Sequence, residues 1–480
     1  MKEFFADWSL LDSTVLVIGQ LLSVMGIVMA LILFHRIREH GRTPSGTIAW
    51  VLAMVFIPYV AIPMYLLIGG RKFKRMAGRK RALKVSRHKI DTSQMNEVGK
   101  TMVMNMDKSP PATNGNRLEI LPDGVADFKR MMELIASAKK SIHFQTYILS
   151  NDEVGQAIID ALTQRAKEGV KVRLLLDAVG CHGTRATMVE KLKAAGGSVG
   201  VFMPVFRHQR WAANLRNHRK IYIFDETIAI IGGRNIGAEY IGPTPDPKRW
   251  MDFAIVMEGP AVHTLNEVFA ADWEFATNEP HSEVMTRTAI ADYEQKGAVT
   301  VQTVASGPDV DHDLFYESLL SAIILAKRRL WIVTPYFIPD ETLLRLLAIS
   351  AHMGRDVRLV IPKSSDYRLI DIARGYAIRQ LSDAGGKVLL YQPTMLHTKL
   401  FLIDDEVASM GSANMDMRSL YLNYEIAVYA YDKPFAAEVE KYIMNLFEDS
   451  VLLSKREKQR MRSFAMEVVE NVSYILSPLL

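Results

Sequence analysis

The chain has 480 residues, too many for one ordinary domain, and 49% of them are apolar, which is enough for large buried cores. Its formal charge of +5 makes it mildly basic, which suits anionic lipid or nucleic acid as a partner. A single cysteine, Cys181, excludes a disulfide framework or a cysteine-based zinc site within the chain, and we interpret it as a buried, inert thiol.

Two long apolar runs near the N-terminus predict a membrane hairpin. Residues 13–34 and 47–69 contain no charged side chain. Each run is long enough to cross a hydrocarbon core of ~30 Å at about 1.5 Å per residue. A signal peptide is the alternative for the first run, and a re-entrant bend is the alternative for the second, which contains Pro58 and Pro63. No small-residue cleavage site follows the first run, so we expect two transmembrane helices within residues 1–70.

Basic residues predict the orientation of this hairpin. The connecting loop holds three arginines that are partly offset by Glu39. Eight basic residues with no acid among them follow the second run: Arg71, Lys72, Lys74, Arg75, Arg79, Lys80, Arg81 and Lys84. The positive-inside rule therefore places the large C-terminal portion in the cytoplasm. The basic segment should also attract anionic lipid headgroups, with a plain solvated basic helix as the alternative.

Residues 71–115 are predicted to form a basic juxtamembrane segment and a linker, which is polar and irregular from residue 86. Beyond it the pattern becomes α/β. Buried strands are expected over Lys140–Tyr147 and Val170–Leu175, and helices over Val125–Ala138 and Glu153–Glu168.

The chain then repeats itself. The triplet Ala138-Lys139-Lys140 recurs as Ala326-Lys327-Arg328, and Val172-Arg173-Leu174 recurs as Val357-Arg358-Leu359. Ala195-Gly196-Gly197 likewise recurs as Ala384-Gly385-Gly386. We therefore expect one α/β unit used twice, as domains 116–300 and 301–480 in a pseudo-two-fold arrangement.

The most specific feature of the repeat is an H-x-K-x4-D motif with a Gly-containing turn that ends in asparagine. Every position of the second copy lies 179 residues after its equivalent in the first. The two copies are His218, Lys220, Asp225 and Asn235, then His397, Lys399, Asp404 and Asn414. One copy would be weak evidence, whereas two copies in register within repeated units are strong evidence of a shared function.

This spacing predicts phosphodiester chemistry. On a strand, the histidine and the lysine two residues later share one face, and the glycines allow a tight turn that returns the asparagine toward it. If the halves face each other, lysines and asparagines can hold phosphate oxygens. One imidazole then attacks phosphorus while the other protonates the leaving alkoxide. No metal or other cofactor is expected, because the lysines supply positive charge.

Acidic residues are candidates to orient the histidines, because a nucleophilic imidazole needs an acceptor at its other nitrogen. Glu425 is the candidate in the half that contains His397, and Asp252 is its counterpart in the half that contains His218. Both begin strand-like apolar runs, and a solvated acid at a strand end is the alternative. Glu239 is a weaker candidate for the same role.

Both motif copies with their Gly/Asn tails resemble the phospholipase D superfamily. Within it, the chain is similar to bacterial cardiolipin synthases over nearly its whole length, in segments that include residues 49–67, 170–174, 334–339, 414–420 and 477–480. The resemblance implies that two phosphatidylglycerols give cardiolipin and glycerol through a phosphatidyl-histidine. It implies an active site of both H-x-K-x4-D sets, with His218 as nucleophile and His397 as general acid.

The resemblance further implies that Asp225 and Asp404 support loop geometry. Ser412 is a support candidate in the second copy, whereas Gly233 replaces it in the first. The expected partners are phosphatidylglycerol and anionic membrane lipids rather than nucleic acid, with homo-oligomerisation left open. The motif itself does not select the acceptor, so a phospholipid hydrolase, a membrane-tethered nuclease and an inactive scaffold are the alternatives.

Overall fold

The computed structural model describes residues 17–21, 23–29, 31–32, 44–62, 80, 92, 95, 97–105, 109–184, 186–204, 215–309, 313–455 and 464–476. The chain divides into two compact units, Met1–Phe73 and Lys74–Leu480.

In the N-terminal unit, the described residues between 17 and 32 are helical, and helix α1 (Pro44–Phe56) is followed by helical residues 58–62. The two helical stretches approach closely at Gly26, where a Cβ atom would lie 2.3 Å from the carbonyl oxygen of Met54. No helix within the described parts of the chain combines the length and the apolar character that crossing a membrane requires. The predicted spans 13–34 and 47–69 extend outside the described residues, so the hairpin stays a prediction.

The second unit contains all the strands that the structure describes, together with the helices that cover them. Its first part consists of α2 (Glu97–Asn105), β1 (Thr113–Leu121), α3 (Gly124–Ser137), β2 (Ser141–Thr146), α4 (Glu153–Lys167), β3 (Lys171–Asp177), α5 (Ala186–Ala194), β4 (Ser198–Phe202), β5 (Ile221–Phe224), β6 (Ile228–Gly232), β7 (Ala254–Glu258), α6 (Val262–Thr277) and α7 (His281–Val284), followed by a 3-10 turn at Ile290–Asp292.

Its second part consists of β8 (Val299–Ser306), α8 (Leu314–Leu325), β9 (Arg329–Val333), β10 (Phe337–Ile338), α9 (Glu341–His352), β11 (Asp356–Pro362), α10 (Arg368–Ala373), α11 (Gly375–Asp383), β12 (Lys387–Tyr391), β13 (Leu400–Ile403), β14 (Val407–Gly411), β15 (Met415–Asp416), α12 (Met417–Tyr421), β16 (Glu425–Ala430), α13 (Lys433–Glu448), β17 (Ser450–Leu452) and α14 (Phe464–Leu476). The α/β fold class is therefore confirmed.

One fifteen-stranded sheet runs through both parts, in the order β17-β12-β11-β9-β13-β14-β16-β8-β1-β7-β6-β5-β2-β3-β4. The antiparallel pair β1–β8 joins the two halves, with Thr113 opposite Val301. On either side of this pair the order is the same: β7, β6, β5, β2, β3 and β4 in the first half match β16, β14, β13, β9, β11 and β12 in the second. Such a layout is what a duplicated unit predicts, and β10–β15 forms a separate two-stranded sheet.

Local sequence explains these elements. Asp123 and Asp152 cap helices α3 and α4, because each carboxylate accepts hydrogen bonds from main-chain N–H groups of the first turn. Strand β5 is buried along its whole length, as expected for an apolar strand covered on both faces. Strand β2 is also buried throughout, although four of its six residues are polar. The helices and strands predicted between residues 125 and 175 are present with ends shifted by one or two residues.

The prediction of an irregular segment over residues 86–115 is wrong at two places and agrees with the structure at residues 109–112. Helix α2 lies within this range, and strand β1 begins at Thr113. Val98 and Met102 lie four residues apart, on one helical face, and are buried in the hydrophobic core of the second half. This segment is therefore part of the packed core.

Two single-residue predictions have different outcomes. Lys80, expected among the lipid-facing basic residues, is buried, with its ammonium 2.5 Å from Asp272 and 2.7 Å from Asp309. A buried ammonium requires such partners, so the prediction is wrong for this lysine. Cys181 is buried as predicted, and burial raises the pKa of its thiol to about 12, which makes it inert near neutral pH.

Candidate active site

The two motif histidines lie just before strands β5 and β13, where each half contacts the other. His218 N donates to the carbonyl oxygen of Tyr424 (2.9 Å), and His397 N donates to that of Met251 (2.7 Å). These two hydrogen bonds are part of isolated parallel β-bridges, one between Asn217 and Tyr424 and the other between Leu396 and Met251. Each histidine therefore lies beside the segment of the opposite half that ends in an acidic residue.

The predicted acids hold the histidines, but across the halves. His218 Nδ1 lies 3.1 Å from Glu425 Oε2, and His397 Nδ1 lies 2.6 Å from Asp252 Oδ2. The expectation that each acid serves the histidine of its own half is wrong. The reason is the register of the two bridges, since Tyr424 and Met251 pair with the opposite half one residue before their acids.

Both acids are charged, and this determines the histidine tautomer. Burial alone would raise the pKa of Asp252, but Lys399 and His397 outweigh it and lower that pKa. The pKa of Glu425 is lowered against burial by His218, Lys220 and the hydroxyl of Ser412. Because an ionised carboxylate only accepts hydrogen bonds, each Nδ1 carries a proton, and each Nε2 keeps its lone pair.

The two acids differ in the groups that hold them. Glu425 accepts from the hydroxyls of Ser412 (2.5 Å) and Ser419 (2.9 Å). Gly233 occupies the position of Ser412 in the first half, and a Cβ atom there would lie 2.4 Å from Asp252 Oδ1. Gly233 therefore leaves room for the carboxylate of Asp252. The two motif copies differ at this position, glycine against serine, because they lie beside different acids, aspartate and glutamate.

The motif lysines are buried beside the histidines. Lys220 Nζ donates to the carbonyl oxygen of His218 (2.7 Å), and Lys399 Nζ lies 2.7 Å from His397 Nδ1. Burial lowers the pKa of Lys220 to about 7 and that of Lys399 to about 8. An anionic ligand would favour the protonated form of both lysines.

Both imidazoles are neutral at pH 7. Burial and the charge of Lys399 lower the pKa of His397 to about 3, and burial lowers the pKa of His218. A neutral imidazole with a free Nε2 can attack an electrophile. A general acid must first gain a proton, and the negative charge of a bound phosphodiester favours that proton.

The motif aspartates hold main-chain turns away from the cleft. Asp225 accepts from the N–H groups of Lys139, Lys140 and Ser141. Asp404 accepts equivalently from the N–H groups of residues 327, 328 and 329. These are the turns that carry the repeated Ala-Lys-Lys/Arg triplets, and both contact sets agree with a role in loop geometry.

One cleft is lined by both histidines together with Asn235 and Asn414. Sequence reasoning missed several of its polar and aromatic residues, which come from loops scattered along the chain: Tyr147, Arg216, Trp250, Tyr336, Asp366 and Arg418. Tyr336 and Arg418 lie in segments 334–339 and 414–420, which resemble cardiolipin synthases. This resemblance was the only feature of the sequence that could have identified them as site residues. Glu239 is exposed and does not line this cleft, so its prediction is wrong.

The structure shows no set of three or more His, Cys, Asp and Glu side chains, within its described residues, that could hold a metal ion. The polar groups that face the cleft are imidazoles, amides, guanidiniums, phenols and the carboxylates of Asp366 and Asp416. The guanidiniums and amides suit the anionic part of an organic ligand.

Comparisons with known proteins agree with this chemistry. Residues 131–273 and 319–447 match the family described as "Cardiolipin synthase, PLD-like domain", and residues 27–70 match the phospholipase D-nuclease N-terminal family. The chain is 35% identical to the major cardiolipin synthase of Bacillus subtilis (strain 168), with 95% of this chain and 98% of that protein aligned. It is 34% identical to cardiolipin synthase A of Pseudomonas aeruginosa (strain LESB58), with 95% of each chain aligned.

Among solved structures, the phosphatidylserine synthase of Haemophilus influenzae Rd KW20 has a similar fold. The TM-score is 0.59 at 18% identity, over 80% of this chain and 98% of that chain. This similarity concerns the fold alone. The family match over both halves and the full-length relatives show that the chain belongs to the cardiolipin synthase family of phospholipase D-like proteins.

Proposed function

We propose that this protein transfers a phosphatidyl group from one phosphatidylglycerol to another, giving cardiolipin and glycerol. The observation that carries the proposal is the pair of histidine–carboxylate contacts, His218 with Glu425 and His397 with Asp252, in one cleft of a cardiolipin synthase family member. Two oriented imidazoles can divide the transfer into two displacements at phosphorus.

In the first displacement, Nε2 of His218 forms a bond to the donor phosphorus, and the bond from phosphorus to the glycerol oxygen breaks. His397 gives that oxygen its proton. In the second, the acceptor hydroxyl returns a proton to His397, its oxygen bonds to phosphorus, and the N–P bond breaks. The two lysines and the two asparagines stabilise the phosphate oxygens throughout.

The choice of His218 as nucleophile is supported by two contrasts. Its side chain is 12% exposed, against 5% for His397, so it is the more open of the two to the cleft. Each lysine donates to the main-chain carbonyl oxygen of its histidine, but only Lys399 Nζ also lies 2.7 Å from the imidazole Nδ1. Burial and Lys399 lower the pKa of His397. The negative charge of a bound phosphodiester would raise that pKa again, so that His397 could gain a proton and serve as the acid.

A chemical trap distinguishes the histidines. A phosphatidyl-p-nitrophenol donor releases a stable phenolate that needs no general acid. His397→Ala should therefore still form a phosphatidyl-enzyme, detected as a mass increment on the peptide that contains His218, while His218→Ala should form none. An adduct on His397 in the His218→Ala protein would reverse the assignment.

We also propose that the N-terminal unit anchors the enzyme in the bacterial inner membrane, with the catalytic unit in the cytoplasm. Its described helical residues expose large apolar side chains, among them Leu31 at 65% and Phe56 at 76%. Exposed apolar surface of this kind is unfavourable in water and suits a lipid environment. The basic residues after residue 70 support the orientation.

Purified protein in phosphatidylglycerol vesicles tests the function. We expect release of one glycerol per cardiolipin formed, and loss of both products in His218→Ala. Phosphatidic acid in place of cardiolipin would instead identify a hydrolase. Degradation of single-stranded DNA or RNA that requires His397 would identify a nuclease.

A further inference from the structure

The two ends of the cleft differ in their side chains, although the scaffold around them is duplicated. On the His218 side, the ring of Tyr147 lies 4.9 Å from the imidazole, and Asp177, Arg418 and Arg216 act electrostatically on its hydroxyl. Asp177 is itself buried and paired with Arg216 (3.5 Å), and Asp416 is close enough to act on Arg418. On the His397 side, the rings of Tyr240 and Trp250 lie 5.4 and 5.5 Å from the imidazole. Two guanidiniums, each beside an acid, therefore mark one end of the cleft, and aromatic rings mark the other.

The aromatic end also contains a tyrosine–aspartate pair. Tyr336 Oη donates to Asp366 Oδ1 (2.7 Å), and both side chains line the cleft. The charge of Lys399 acts on Asp366, which places the pair on the His397 side. Asp366 is solvent-accessible, so its carboxylate can receive a ligand.

Tyr336 and Tyr147 follow equivalent strands, β9 and β2, yet have unlike surroundings. In both halves a threonine at the end of the strand, Thr334 or Thr146, donates its hydroxyl to the carbonyl oxygen two residues later. The residue directly after the threonine is Tyr147 in the first half and Pro335 in the second, so Tyr336 occupies the position of Ile148. The second half therefore has a phenol, hydrogen-bonded to Asp366, at a position where the first half has an isoleucine.

The loops that carry the pair are held in place. Asp371 accepts from the N–H of Ser365 (2.9 Å), and Arg374 donates to the carbonyl oxygens of Pro362 and Lys363 (2.9 Å each). Phe337, next to Tyr336, pairs with Met415 in the β10–β15 sheet. A rigid carboxylate and phenol in a cleft form a pre-organised hydrogen-bonding site.

The chemistry of this pair matches a neutral polyol. A carboxylate repels phosphate but accepts hydrogen bonds from hydroxyls, and a phenol can donate or accept. Phosphatidylglycerol presents both kinds of group, an anionic phosphate and a headgroup with two hydroxyls. Charge complementarity directs the phosphate toward the arginines and the hydroxyls toward Asp366.

We propose that Tyr336 and Asp366 bind the free hydroxyl of the glycerol headgroup next to the reacting one, and so select a polyol as acceptor. This inference rests on the proposed function. While His397 removes the proton of the attacking hydroxyl, the pair holds the neighbouring hydroxyl and aligns the attacking oxygen with phosphorus. Water and simple alcohols lack that second group and are poorly held.

The test measures how one intermediate partitions between acceptors. The full-length protein receives a phosphatidyl-p-nitrophenol donor with equal concentrations of glycerol and 1-propanol, and the two phosphatidyl alcohols and phosphatidic acid are quantified. This product ratio does not depend on the amount of active enzyme. The wild type should prefer glycerol by about tenfold, the effect of a hydrogen bond to a charged group.

Asp366→Leu should abolish the glycerol preference, and Tyr336→Phe should reduce it about threefold, because it removes only the phenol hydroxyl. Asp366→Asn keeps one acceptor oxygen and should retain an intermediate preference. Tyr147→Phe is the control from the other end of the cleft, and it should leave the ratio unchanged.

A wild-type ratio near one, or unchanged ratios in the Asp366 and Tyr336 variants, would overturn this inference. An equal shift in Tyr147→Phe would also overturn it, since the effect would not belong to the pair. A wild type that converts the donor to phosphatidic acid alone would refute the transferase proposal instead.

Discussion

His218 in the first half and Glu425 in the second are hydrogen-bonding partners, with Nδ1 lying 3.1 Å from the carboxylate. His397 and Asp252 make the reciprocal contact at 2.6 Å. Neither half therefore contains a complete histidine–carboxylate pair. Both contacts therefore form only where the two halves meet, and the shared sheet through β1 and β8 joins those halves.

Glu425→Gln should lower the rate of phosphatidyl transfer by roughly 10²–10⁴-fold, because the amide no longer fixes the Nδ1–H tautomer or stabilises the imidazolium. The measurement is cardiolipin formation from labelled phosphatidylglycerol. Glu239→Gln is the control and should retain wild-type activity, since Glu239 is exposed and away from the cleft. A Glu425→Gln protein that is folded and fully active would refute the role of this contact.

The pH dependence of kcat/KM should show a fall as the pH rises through about 7 to about 8. Burial lowers the pKa of Lys220 to about 7 and that of Lys399 to about 8, and each lysine loses its charge above its pKa. The uncharged amines hold phosphate poorly. Because bound phosphate stabilises the ammonium forms, the corresponding fall in kcat should occur at higher pH. If kcat and kcat/KM fell at the same pH, this explanation would be contradicted.

Gly233→Ser copies the serine of the second motif into the first and should lower activity by about 10–100-fold, the usual effect of losing a supporting contact. The new Cβ atom would lie 2.4 Å from Asp252 Oδ1 and would displace that acid from His397. The reciprocal Ser412→Gly variant loses one donor to Glu425 and should cost about tenfold. Initial rates and the thermal midpoint of each variant separate a site effect from unfolding. Wild-type rates in both variants would contradict the role of these contacts.

Asp404→Ala should act on stability. The variant leaves three main-chain N–H groups without their acceptor and places alanine at φ 51°, in the left-handed region. We expect the free energy of unfolding to fall by about 3 kcal/mol, measured by denaturant titration. Asp404→Asn keeps an acceptor oxygen and tolerates this backbone conformation, so it should lose less. A stable Asp404→Ala protein that is inactive would instead indicate a direct role in catalysis.

Much of the fold could be predicted because its signals are local. Apolar runs between polar turns identified strands near residues 140 and 170, and helical spacing identified α3 and α4. Helix α2 was missed because its apolar residues are few and its surroundings are polar. Only the core of the second half, in which Val98 and Met102 are buried, accounts for its position.

The sequence by itself determined which groups are candidates for phosphodiester chemistry, because the H-x-K-x4-D motif occurs twice in register. The strands begin one residue after each lysine, at Ile221 and Leu400, so the period of a strand does not place these side chains. Tertiary structure alone decided which acid serves which histidine. That choice depends on two bridges between segments about two hundred residues apart in one case and about 150 in the other, and no local pattern records their register. The same holds for Tyr336 and Asp366, which 30 residues separate in sequence and a single hydrogen bond joins in the cleft.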